Sequence, residues 1–162
     1  MPSVYLETSV ISNLRQRRST QVISAAHQML TRRWWDLERG HYELVISQFV
    51  VDEASSGDPV LAAERLQHLE GIPLLPHSGE IVDIADEIMS RAILPENAQV
   101  DALHIATVAF HRIQYLLTWN CKHIANAKIL PRIHQVLTDL AVPIPIICTP
   151  EELLGDDTSI NN

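Results

Sequence analysis

Five short apolar runs punctuate the chain: "SVYL" (3–6), "YELVI" (42–46), "IPLL" (72–75), "YLLTW" (115–119) and "IPIIC" (144–148). Each has the length and side-chain type of a buried strand, and longer stretches of helical periodicity separate them. That alternation is the strongest constraint on the fold. Strands that reach one another only through a helix pair in parallel by right-handed crossovers, and both faces of their sheet are covered. The expected fold is therefore α/β, a three-layer α/β/α sandwich on a five-stranded parallel sheet.

The helical stretches have readable ends. "TQVISAAHQMLTRRWWDLERG" has Thr20 to cap it, apolar residues at 22, 26, 29, 30, 34 and 37, and Gly40 to stop it. A short helix is expected to begin at Ser47, directly after the second run. Asp58-Pro59 opens a helix that closes at Gly71, Ser78 caps the next, and Asn97 caps the one holding "AQVDALHIATVAFHR". Pro131 is expected to divide "HIANAKILPRIHQVLTDL" into two helices. Residues 1–154 carry no repeat or linker and read as one domain, and 155–162, "GDDTSINN", as a flexible C-terminal tail.

The chain has 162 residues, 46% of them hydrophobic and 20% charged, the composition of a soluble globular protein. No apolar run approaches the roughly 20 residues that span a bilayer. The N-terminus has neither a basic leader nor a signal-like apolar core, so no membrane association and a cytoplasmic location are expected. Cys121 and Cys148 belong to no CxxC pattern and read as small buried residues. The eight histidines lack HExxH-like spacing, which argues against a dedicated zinc site.

A net charge of −8 argues against a protein that coats nucleic acid electrostatically. Residues 15–39 are an exception, with six arginines against two acids, a balance of +4 that leaves −12 on the rest. This segment reads either as a solvated helical face or as a contact for phosphates or an acidic partner.

Ligands of parallel sheets bind outside the carboxyl ends of the strands, which sorts the polar residues. Glu7 follows the first strand and Asn120 the fourth. Glu53 lies on the short helix after the second strand. Asp101 is in the first turn of a helix whose N-terminus comes to the same edge. Taken alone, Asp101 is explained as a charge that complements a helix dipole. Three converging carboxylates and an amide are harder to explain that way, because close carboxylates repel unless a proton or a cation separates them. A hard divalent ion such as Mg²⁺ or Mn²⁺ suits oxygen donors and phosphate chemistry.

Four stretches, "YLETSVISNL", "VVDEASSGDP", "PENAQVDALHIATVAF" and "YLLTWNCKHIAN", resemble in order and spacing the successive motifs of PIN-domain nucleases, particularly VapC-like toxins of type II toxin–antitoxin pairs. The resemblance spans residues 2–148. It implies a metal-dependent endoribonuclease with Glu7, Glu53 and Asp101 as the acids that bind Mg²⁺ or Mn²⁺ and Asn120 in the fourth catalytic position. Two departures stand out: the first acid is commonly aspartate, and the fourth position often is too. The neutral Asn120 weakens a second metal site more than the first.

The expected chemistry is metal-assisted hydrolysis, with Asp101 or Glu53 orienting or deprotonating the attacking water. Thr8, Ser9 and Thr118 are candidates for holding a phosphate oxygen or water, or equally for capping and turns. Arg15, Arg17 and Arg18 are candidate substrate contacts. His104, one turn after Asp101, reads as structural rather than catalytic. Single-stranded or loop RNA is the expected substrate, since a splayed backbone can reach an acidic cleft. The resemblance also implies a cognate antitoxin. Trp34, Trp35 and Met29 are candidates for its groove or for a homodimer contact, with at least one tryptophan in the core. The rival readings are a catalytically degenerate PIN domain that binds RNA or protein, and a generic α/β domain whose acids are only helix-end charges.

Overall fold

The computed structural model describes residues 1–155. The tail expected over 155–162 lies outside them apart from Gly155. Four strands, β1 (Ser3–Leu6), β2 (Glu43–Val45), β3 (Tyr115–Leu117) and β4 (Ile146–Cys148), form an all-parallel sheet in the order β2-β1-β3-β4. Tyr5 stands opposite Val45 on one side and Leu116 on the other, and Leu117 opposite Cys148. The sheet has four strands where five were expected. "IPLL" contributes a single parallel bridge, Ile46 to Leu74. Pro73 and Pro76 flank it, and neither has an N–H for a ladder.

Seven α-helices occur among the described residues: α1 (Thr8–Ser12), α2 (Val22–Leu37), α3 (Gln48–Ala54), α4 (Pro59–Leu69), α5 (Gly79–Ser90), α6 (Gln99–Phe110) and α7 (Leu130–Asp139). α5 packs on both α6 and α7, while α1, α3 and α4 pack together, an arrangement consistent with an α/β/α sandwich. No helix among the described residues is long and apolar enough to cross a membrane.

Several helix starts follow from the sequence. Asp58 caps α4, accepting from the amides of Val60 at 2.9 Å and Leu61 at 3.1 Å, with Pro59 in the first turn. Ser78 caps α5 and Ser47 precedes α3. Two expected caps are corrected. α6 starts after Ala98 rather than Asn97, and α2 after Gln21 rather than Thr20, neither with a side-chain cap bond. Only the second half of the Pro131 region is helical. Residues 121–129 are mostly turns, and the side chains of Asn120 and Asn126 accept there from the amides of His123 and Lys128, local bonds that compete with a regular helix.

One core cluster runs from Val4 to Cys148. α6 is its centre, buried at Ala102 and from His104 through Ala109. α2 faces the core through Thr31, Trp34 and Trp35, leaving Val22, Ile23, Met29 and Leu37 exposed. Both tryptophans are thus buried in the core, and Met29 is exposed. The cysteines are split: Cys148 is buried and Cys121, expected to be buried, is exposed.

Candidate functional site

β1 ends at Leu6, and the next residue, Glu7, caps α1 with its own carboxylate, Oε2 accepting from the amide of Ser9 at 2.6 Å. Glu7 is 5% exposed. Its amide bonds the carbonyl of Leu117, so it lies in register with the end of β3, where Thr118 donates to Oε1 at 3.3 Å. Burial pushes the Glu7 carboxyl up; His104 and the Ser9 hydrogen bonds oppose this, and the charge of Glu53 adds to it.

Glu53 comes in from the third turn-length of chain after β2, on α3. Its Oε1 accepts from the hydroxyl of Thr8 at 2.7 Å and lies 2.6 Å from His104 Nε2. Burial raises this carboxyl, but His104 and Thr8 outweigh it and hold the group below the ordinary glutamate value. His104 is fully buried, and its Nδ1 is 2.6 Å from the Tyr5 hydroxyl, which is 2.6 Å from the Ser47 hydroxyl. With Glu53 ionised, the bonding assigns the proton to Nε2, so that Nδ1 accepts from Tyr5. Burial raises the Tyr5 pKa strongly, which keeps the phenol a donor.

A second pair of groups is anchored on α6 and the turn after β3. Asp101 Oδ1 accepts from the Asn120 side-chain amide at 3.2 Å, and Oδ2 lies 2.9 Å from His123 Nδ1. Asn120 Oδ1 accepts from the His123 amide at 2.9 Å, fixing this turn. Thr118 joins this pair to Glu7: its hydroxyl accepts from the Asn120 amide at 2.9 Å as it donates to Glu7. Ser9 Oγ accepts from the Trp119 amide at 2.7 Å.

Glu7, Asp101 and Asn120, with Ser9 and Thr118, therefore belong to one hydrogen-bonded network at the carboxyl edge of β1 and β3, while Glu53 and Thr8 belong to a second, with His104, Tyr5 and Ser47, that meets the first where Thr8 follows Glu7 in the chain. Arg15, Arg17 and Arg18 belong to neither; they lie beyond α1 in the segment leading to α2. His123 and His27 were missed by sequence reasoning. His27 stacks on Trp119 with ring centroids 3.9 Å apart, and Trp119 Nε1 donates to Thr31 at 2.6 Å, which ties α2 to the site. "WNCKH", an asparagine followed three residues later by histidine, is the signal for the His123 turn.

The donor set is made of oxygens, the type a hard divalent ion prefers, and Glu7 is buried with no Lys, Arg or His hydrogen-bonded to it among the described residues. Both features fit a cation at Glu7 and Glu53. Asp101 has both oxygens engaged, and no group of three His, Cys, Asp or Glu among the described residues is placed to hold a metal ion. The acids divide between the two networks, Glu7 with Asp101 and His123 in one and Glu53 with His104 in the other, rather than forming one cage, although the charge of Glu53 is felt at Glu7. No family model, curated protein or solved structure matches the chain.

Proposed function

We propose that the chain is a divalent-metal-dependent ribonuclease that hydrolyses phosphodiester bonds of single-stranded or loop RNA. The observation that carries this reading is Glu7: a desolvated carboxyl at the junction of β1 and β3, its pKa raised further by Glu53, with no protein cation hydrogen-bonded to it among the described residues. Glu7 and Glu53 would hold Mg²⁺ or Mn²⁺, with Asp101 as the third ligand only if it gives up a bond to Asn120 or His123. When bound, that ion supplies polarisation of a phosphoryl oxygen and a more acidic water. Glu53 is held by Thr8 and His104 through Oε1, leaving Oε2 without a partner among the described residues to orient the attacking water or take its proton. Asn120 and His123 orient Asp101, and Ser9 and Thr118 fix the approach of β3 to Glu7.

The order of the four motifs supports, within the same reading, a toxin with a cognate antitoxin. The exposed Val22, Ile23, Met29 and Leu37 of α2 support a homodimer.

The test is cleavage of single-stranded RNA by purified, partner-free protein in Mn²⁺ against EDTA. Chelator-sensitive cleavage that a Glu7→Gln, Asp101→Asn double variant abolishes supports the enzyme. A second reading, a degenerate domain that binds RNA or protein without cutting, is favoured by the full engagement of the Asp101 carboxylate and by the neutral Asn120. RNA binding with no metal-dependent cleavage and no Mn²⁺-dependent rise in Tm selects it.

A further inference from the structure

The arginine-rich segment is folded into a concave surface that the network above does not use. Residues 14–19 cross α2 and are fastened to it at both ends. Arg32 donates to the Leu14 carbonyl at 2.6 Å, and Gln28 accepts from the Ser19 amide at 2.8 Å while donating to the Arg17 carbonyl at 3.4 Å. From the other side, Glu64 of α4 accepts from the Gln16 amide at 2.6 Å. Between this strap and α2 lies a groove of about 450 Å³, whose lining includes Arg15, Arg18, Arg32 and Arg33, with Asp36 the acid at its margin.

Arg15 and Arg18 carry the unmet charge of this groove among the described residues. No carboxylate lies within ion-pair distance of Arg15 or Arg18 among the described residues. Arg15 Nε is buried and has no hydrogen-bond partner among them. A buried donor without an acceptor is rare in a folded protein, and a turn of the Arg15 side chain into the groove it lines would bring that donor to an anionic ligand oxygen. Arg32 uses one N–H on Leu14, which leaves the remainder of its guanidinium fork for the groove. Arg17, exposed like Arg18, differs from it in not lining the groove.

We infer that this groove is a phosphate cradle for the backbone of a single RNA strand, with Arg15 and Arg18 as its principal contacts. The proposal rests on the ribonuclease reading for the identity of the strand. The argument for that occupant over an isolated anion is continuity. α2, which forms one wall, also carries His27 and Thr31, the residues that touch Trp119 beside Asn120. One helix thus borders both the cradle and the carboxylate network. On a chain of net charge −8, a basic groove fastened in place positions a strand that the acidic surface elsewhere repels.

The test is anisotropy of a fluorescein-labelled single-stranded RNA decamer in EDTA, so that binding is read without cleavage. Arg15→Gln and Arg18→Gln should each weaken binding at least fivefold and flatten the slope of log K against log salt by about 0.7 per lost phosphate contact. Arg17→Gln, the same charge change two residues away, should change affinity less than twofold. Arg15→Lys keeps the charge but loses the fork, and should weaken binding while leaving the salt slope as it is; with Arg18→Gln it keeps the test valid if Arg15→Gln fails to fold.

Equal losses in all three glutamine variants would mean diffuse attraction and overturn the cradle. Tight binding of inorganic phosphate without RNA binding overturns it too, as does a polyglutamate peptide that depends on Arg15 and Arg18 when RNA does not. The two proposals fail separately. Arginine-dependent binding with no Mn²⁺-dependent cleavage refutes the nuclease and keeps the cradle, whereas cleavage and binding untouched by Arg15→Gln and Arg18→Gln refute the cradle alone.

Discussion

His104 Nε2 lies 2.6 Å from Glu53 Oε1, a buried ring holding a carboxylate whose side chain is 40% exposed. The ring is itself held by Tyr5, so Glu53 is oriented from the interior. His104→Ala leaves the Tyr5–Ser47 pair without its continuation and opens a cavity, at a cost of roughly 2–4 kcal/mol. Tyr5→Phe removes only the hydroxyl, leaves Nδ1 and Ser47 unpartnered, and costs roughly 1–2 kcal/mol in urea unfolding. The lowered pKa of Glu53 gives stability that is present above the ordinary value of 4.5 and lost as pH falls through the lower native one. In His104→Ala that part of the acid dependence should disappear, and the acid limb of the cleavage rate should move to higher pH. An unchanged limb in a folded variant would mean that the ring does not set the carboxylate.

Glu7 behaves in the opposite sense. Its native pKa lies above the ordinary 4.5, so its contribution is fully present below 4.5 and is lost as pH rises through the native value. Glu7→Gln removes the cost of burying charge. In EDTA, its Tm should exceed that of the parent at pH 8 by a few degrees, and the difference should close near pH 4. In Mn²⁺ the order should reverse, because only the parent gains from the ion. Equal Mn²⁺ shifts in both proteins would remove Glu7 from the metal site.

The two thiols should separate by reactivity. Cys148 is buried and its pKa is pushed up to about 12 by desolvation and then Glu152, so it stays a thiol at pH 8. Cys121 is exposed, with a pKa raised by the same two causes. Ellman's reagent should titrate one thiol in the native protein, slowly, and both in guanidinium. Cys121→Ser should abolish the native reaction.

Ala141 ends α7 in the left-handed region at φ 55°, with its amide on Thr138 and the next amide on Leu137. That paired pattern is the one glycine occupies at helix ends. Ala141 is exposed, so no packing is lost on removing its methyl. Ala141→Gly should stabilise by about 1 kcal/mol, or roughly 2–4 °C in Tm. A drop in Tm would show that unfolded-state entropy outweighs relief of the left-handed backbone.

Much of the fold was legible where local chemistry and tertiary packing agree. The Asp58-Pro59 and Ser78 caps are local hydrogen bonds, and they formed where the sequence puts them. The strands around Tyr5 and Leu116 are fully buried and keep their apolar signal. α2 was misread in phase: its strongest apolar positions, Val22, Met29 and Leu37, face outward. What fixes that helix is Thr31 accepting from Trp119, a contact 88 residues away in sequence that no local period reveals. The linking of Glu7 to Asp101 and Asn120 through Thr118 followed from strand ends, but the separate bonding of Glu53 to Thr8 and His104 did not. His104 was read as structural, and its ring does serve that role, yet its second nitrogen reaches one of the candidate acids. Sequence spacing cannot show which carboxylate a buried imidazole will meet.

β4 is the outer strand of the sheet, and Pro143 and Pro145 precede it. Ile146 sends its amide inward to the Gln114 carbonyl, so position 145 faces outward, and there proline has no N–H to offer. A stray extended segment from another molecule meets a broken template along this rim, although Ile144 and Ile146 are solvent-facing. The two rings thus guard an oily margin against fibril-like self-association, a safeguard independent of any catalytic role.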